Sequence, residues 1–212
     1  MPWGRSASAS LASTTYTGAI ETAELFGRRL YAEAFERGWD RAKKKVVLGD
    51  GAEWIWNIAD QHFAGAIQIV DVWHAREHLW DLAALLFPSD EKQRTRWATK
   101  LTRKLNRGRI ENVVNELRSF PTRKAELRDD LRIQADYFER NRDRMQYPKF
   151  RKQGLFIGSG VIEAACRTVI GSRLKQSGMF WTVRGANAII ALRCNRLPGK
   201  FEDYCASRAK AA

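Results

Sequence analysis

Val46-Val47-Leu48-Gly49-Asp50-Gly51-Ala52-Glu53-Trp54-Ile55-Trp56 is an apolar run that stops at Gly-Asp-Gly and resumes as an amphipathic segment carrying two tryptophans. The pattern predicts a strand, a sharp turn and a helix. Glycine beside Asp50 lets the backbone turn there, which stands the carboxylate at the carboxyl end of the strand, where open α/β sheets gather their chemistry. Residues 66–71, AIQIVD, repeat the pattern of an apolar strand ending in an acid. Strand, helix, strand is the expected core, and the fold class is α/β.

Upstream, residues 1–14 are rich in Ser and Ala, lack periodicity and are expected to form a disordered tail. Residues 15–19 are expected to form a short strand. Phe26, Leu30 and Ala34 at helical spacing predict a helix over 21–37, which Gly38 stops. Beyond the second strand, Ala75, Leu79, Leu82, Ala83 and Leu86 keep an apolar stripe over 73–87 until Pro88 breaks it. Composition then changes. Ser89 is suited to cap a helix containing Trp97, Leu101 and Leu105; residues 110–117 give another helix; Thr122 is suited to cap a third with Leu127, Leu131, Ala135 and Phe138. Lys and Arg occupy the polar faces of all three. Residues 89–146 read as an all-helical, basic insertion, and 147–158, with Pro148 and a basic cluster, as a linker.

The last ordered stretch, 159–200, opens with Ser159 as the cap of a helix that carries Glu163 in its first turn and buries Ile162, Cys166, Val169 and Ile170. A second helix over 182–196 buries Ala186, Ile189, Ile190 and Cys194, and Pro198-Gly199 ends it. Residues 201–212 are expected to be a closing tail.

The chain has 37 basic and 24 acidic residues among 212, a formal charge of +13, and the excess is uneven. Through Asp90 there are 9 basic and 12 acidic residues, leaving 28 and 12 beyond it. A basic second half of this size favours a polyanionic partner, nucleic acid first. Cys166, Cys194 and Cys205 form an odd set without a C-x-x-C pair, which argues against a disulfide framework and a cysteine zinc site. No apolar run approaches the roughly 20 residues of a membrane span, and the amino terminus lacks the apolar core of a signal peptide. A cytoplasmic protein without a membrane partner is expected.

Asp50 and Glu163 are the first candidates for chemistry, with Asp71 and His74 behind them. Hard carboxylates projecting from a strand end and a helix suit Mg²⁺ or Mn²⁺, which take oxygen ligands and leave positions for phosphate and water. A pair of such ions about 3.5–4 Å apart supports phosphodiester transfer. The structural alternative is that Asp50 caps the following helix and Glu163 complements a helix amino terminus. His74-Ala75-Arg76-Glu77-His78 also fits H-x-x-E-H, the inverted zinc-hydrolase motif, although a catalytic zinc needs a third ligand. Packing is the expected role of Trp54, Trp56, Trp73, Trp80 and Trp97, which recur at core spacing on helices. Trp181 differs. It lies in a basic, turn-rich stretch after Arg173 and Lys175 and before Arg184, so all four are DNA-binding candidates: the ring by stacking on a base, the cations by contacting phosphate.

Three stretches taken together, Asp50-Gly51-Ala52-Glu53-Trp54-Ile55-Trp56, Ile69-Val70-Asp71-Val72-Trp73-His74-Ala75-Arg76-Glu77-His78 and Gly158-Ser159-Gly160-Val161-Ile162-Glu163, followed by Gly171-Ser172-Arg173-Leu174-Lys175, resemble ISKra-type bacterial insertion-sequence transposases. These are relatives of the Mutator-type DDE enzymes, which carry an RNase H-like catalytic domain. The resemblance runs from about residue 15 onward and preserves motif order. It implies that Asp50 is a strand-end catalytic acid, that Asp71 and His74 form a carboxylate-x-x-His signature, and that Glu163 is the final acid beyond a helical insertion. It also implies two Mg²⁺ or Mn²⁺ ions in a complete enzyme, held here by Asp50 and Glu163, and DNA as partner.

Such enzymes bear an earlier Asp on the first strand, and no acid-bearing strand is predicted before Asp50. The expectation is therefore a truncated transposase: a partial RNase H-like core over 15–88, the helical insertion, the linker and the carboxyl-terminal core helices, helix-rich overall. DNA cleavage and strand transfer are expected to be lost, and open strand edges to favour homo-oligomers. The alternatives are a non-catalytic nucleic-acid-binding protein and, more distantly, a zinc hydrolase built on H-x-x-E-H.

Overall fold

A computed structural model of the chain describes residues 14–158, 160–199, 201–202 and 206, without the side chains of 161–163. It divides into two units: Met1–Arg41 with Gly160–Ala212, and Ala42–Ser159. Helix α1 (Ala23–Glu36) belongs to the former and starts at Thr22, whose hydroxyl accepts the Leu25 N–H. The strand expected over 15–19 is not formed; those residues have no regular structure.

In the unit Ala42–Ser159, β1 (Val46–Gly49) and β2 (Ile67–Val70) pair in parallel, with Val46 opposite Ile67 and Gly49 opposite Val70. Helix α2 (Glu53–His62) makes the crossover that parallel pairing demands. The Asp71 N–H donates to the Gly49 carbonyl at 2.7 Å, so the ladder continues one residue past β2. Helix α3 (Val72–Leu86) follows at once, capped by Asp71, whose Oδ1 accepts the Trp73 N–H at 2.7 Å. Helices α4 (Glu91–Asn106), α5 (Ile110–Arg118) and α6 (Ala125–Arg140) complete a helix-rich α/β unit with few strands.

Two four-residue strands cannot bury enough apolar surface to hold themselves together. The helices supply it: Ile69, Val70, Leu79, Leu82, Leu101, Leu105, Val113, Leu117 and Phe138 are all nearly or fully inaccessible and belong to one cluster. Each such side chain contributes about 1.5–3 kcal/mol of burial. Residues 89–146 thus share one core with the strands. Residues 147–158, expected as a linker, instead begin with helix α7 (Tyr147–Lys152), which has Pro148 in its first turn and buries Tyr147 and Phe150 in that core. Ser89 and Thr122 are not the helix caps. Asp90 caps α4 by accepting the Gln93 N–H, and α6 starts at Lys124 without a side-chain cap.

Trp56 is buried and Trp97 half-buried, as packing requires, but Trp54, Trp73 and Trp80 are 45%, 55% and 39% exposed. Their helices bury one stripe each, and these rings lie outside it. Arg76 stacks over Trp73 at 4.5 Å, and Arg144 over Trp56 at 4.7 Å.

In the other unit, α8 (Gly160–Ala165) runs into a π-helical turn, Cys166–Gly171, and then α9 (Ser172–Leu174). Helix α10 (Val183–Arg196) forms in the stretch where the sequence predicts it and is capped by Thr182. Val169, Ile190 and Cys194 form a small core with Tyr16, Ile170 and Leu174 packed on it. Cys166, expected inside, is exposed, because the wider π-turn rotates it off the buried stripe. Asn187 exchanges two hydrogen bonds with the Ile20 backbone, at 2.7 and 3.2 Å. Arg193 donates to the Val169 carbonyl at 2.9 Å. No helix among the described residues is long and apolar enough to cross a membrane.

Candidate functional site

Asp50 and Asp71 close neighbouring parallel strands, one residue past the paired Gly49 and Val70. The backbone turns away after Asp50 through Gly51, whose φ of +98° lies in the left-handed region. Asp50 Oδ1 accepts the Ala52 N–H at 2.9 Å; Ala52, not Asp50, is the N-cap of α2. Asp50 is exposed, whereas Asp71 is 4% exposed. Behind them stands Tyr137 of α6, whose hydroxyl donates to the Asp50 carbonyl at 2.9 Å. Burial first, and then Asp50 and Asp71, push the Tyr137 phenol far above its ordinary range, so it stays a donor. Burial does the same to Tyr147, with Tyr137 and Asp71 contributing.

His74 and His78 lie one turn apart on α3, beside this wall. Their Nε2 atoms are 3.2 Å apart. His78 Nδ1 lies 2.8 Å from Gln134 Oε1, and its ring stacks on Tyr137 with centroids 4.2 Å apart. Burial lowers the basicity of His78 more than Gln134 restores it. Glu77 Oε2 lies 3.3 Å from His74 Nδ1, so the glutamate of H-x-x-E-H engages the outer nitrogen of that ring and not the Nε2 side.

Magnesium finds an incomplete set here. Among the described residues no three His, Cys, Asp or Glu side chains gather as a metal cluster. Asp50 and Asp71 each commit one oxygen to a backbone N–H. Glu163 lies on α8 in the other unit, and its side chain is outside the described residues.

Cations dominate two surfaces. Along α4 and the turn that follows it, an open groove is lined by Lys92, Arg96, Lys100, Arg103, Lys104, Arg107 and Arg109, with Glu91 as its one acid. Glu116 of α5 pairs with Lys100 at 2.8 Å and with Lys104, while the four arginines stay exposed. A second open groove meets it at Arg107 and adds Lys149 and Lys152 of α7. In the unit containing α8 to α10, Arg173, Lys175 and Arg184 are exposed, and Trp181 is 37% exposed. Phe180, beside it, is 97% exposed.

No family model, curated protein or solved structure matches the chain. Sequence patterning missed Tyr137 and Gln134, which reach the site from α6; Tyr137 is 87 positions from Asp50, and no local spacing reports such a contact. It also passed over Phe180 and the α4 arginines as individual candidates. The charge run from Lys92 to Arg109 was the available signal for the latter.

Proposed function

We propose that the chain is a DNA-binding protein of the DDE-transposase type, with an RNase H-like arrangement around β1 and β2 and, among the described residues, an acid set too incomplete for strand cleavage. The observation that carries this reading is the placement of Asp50 and Asp71 side by side at the carboxyl ends of parallel strands, with His74 on the helix that follows. An RNase H-like site uses acids in that position, and the order Asp50, Asp71-x-x-His74, Glu163 is that of the transposases the sequence resembles. The basic groove on α4 supports DNA as the partner, because sequence-independent affinity comes from phosphate neutralisation.

A second reading, a non-catalytic nucleic-acid-binding protein, draws on the same groove, which involves neither Asp50 nor Glu163. Amide NMR separates the two. Under the transposase reading, Mg²⁺ shifts the signals of Gly49, Asp50, Gly51 and Ala52, and Asp50→Asn removes the effect. DNA binding with no Mg²⁺ response at these amides would favour the second reading and overturn the first.

A further inference from the structure

We propose that His74 and His78 form a two-histidine clamp for a divalent transition metal, Zn²⁺ first, at a site separate from the strand-end acids. The inference does not rest on the transposase reading. Gln134 Oε1 can only accept, so His78 Nδ1 carries the proton toward it at 2.8 Å; His74 Nδ1 lies 3.3 Å from the Glu77 carboxylate, close enough to hold a proton there once its Nε2 binds a metal. His78 Nε2 then has a lone pair, and His74 Nε2 stands 3.2 Å from it, within reach to donate to it.

A divalent cation between them replaces the shared proton, which moves to His74 Nδ1 beside Glu77, and both nitrogens become ligands. With Zn–N bonds of about 2.0–2.1 Å, the 3.2 Å separation subtends an N–Zn–N angle of about 99–106°, close to tetrahedral. The rings are nearly perpendicular, at 89°. Each ligand has the outer partner that metal-binding histidines use to fix their tautomer and orientation, a carboxylate for His74 and an amide oxygen for His78. Stacking on Tyr137 further restrains His78. Imidazole selects zinc, copper or nickel over magnesium, so the clamp and the strand-end acids take different ions. The His74 side chain is 38% exposed, which leaves the remaining coordination positions open to water or to one incoming ligand.

Calorimetric titration of ZnCl₂ into the full chain, after stripping with EDTA, tests this at neutral pH. One zinc per chain is expected. His74→Ala and His78→Ala should each abolish the site, Gln134→Ala should loosen it about tenfold, and His62→Ala should leave it unchanged. His74 is the more exposed ligand and its variant keeps the core, verified by circular dichroism, so it decides the matter even where His78→Ala unfolds. Zinc binding of native strength in folded His74→Ala, or no zinc binding by the native chain, would overturn the clamp.

Discussion

The Tyr137 hydroxyl donates a 2.9 Å hydrogen bond to the Asp50 carbonyl, which ties α6 to the turn that ends β1. The acceptor is a backbone oxygen, so the contact sets where Asp50 stands without neutralising its carboxylate. Tyr137→Phe keeps the stack on His78 and removes only this bond. Denaturant unfolding is expected to show a loss of about 0.5–1.5 kcal/mol, and no loss would mean that α6 does not brace the turn.

Gly51 is the tightest point of that turn. A Cβ there would meet the Tyr137 hydroxyl at 2.6 Å and its ring at 2.7 Å, at a φ that L-residues rarely adopt. Gly51→Ala is expected to destabilise the fold by at least about 1–3 kcal/mol. Because backbone strain persists, Tyr137→Phe in the same chain should recover little of it, as thermal melts of the single and double variants would reveal.

Burial lowers the His78 pKa below its ordinary 6.5, so the unfolded chain binds the proton more readily than the folded one. The associated stability is fully present above about 6.5 and declines as pH falls from there through the lower folded-state value. Melting temperatures of metal-free protein should therefore fall on acidification across that window, and less so in His78→Gln. A His78→Gln profile parallel to the native one would assign the acid sensitivity elsewhere.

Arg103 and Arg107 line the α4 groove as exposed cations. Substituting either by Ala should weaken duplex DNA binding to the same extent for unrelated sequences and reduce the slope of log K against log salt by about one. Lys100→Ala should matter less, because Glu116 already pairs with Lys100. Fluorescence anisotropy across a salt series distinguishes these; an unchanged slope in both arginine variants would remove the groove from the interface.

The Gly-Asp-Gly turn, both strands and helices α1 to α6 were legible because each carries a local signature: an apolar run stopped by glycine and acid, or a stripe of period 3.6. What failed was whatever depended on contacts distant in sequence. The stretch 147–158 looked like a linker for its proline and its charge, yet Tyr147 and Phe150 are drawn into the core and fold it into α7. Cys166 follows helical spacing but lies on a π-turn, where that spacing no longer marks the buried face. Trp73 occupies a helix that buries a different stripe. At the site, the histidine spacing was visible in H-x-x-E-H, whereas Gln134 and Tyr137 come from a helix more than fifty positions away in sequence.

The most direct test of the account incubates the purified chain with supercoiled plasmid in Mg²⁺ or Mn²⁺ and resolves the products by gel, with Asp50→Ala alongside. The expected result is a salt-sensitive shift of the plasmid by both proteins and no nicked form from either. Metal-dependent nicking by the native chain that is lost in Asp50→Ala would contradict the proposal that the acids of the described residues do not support cleavage.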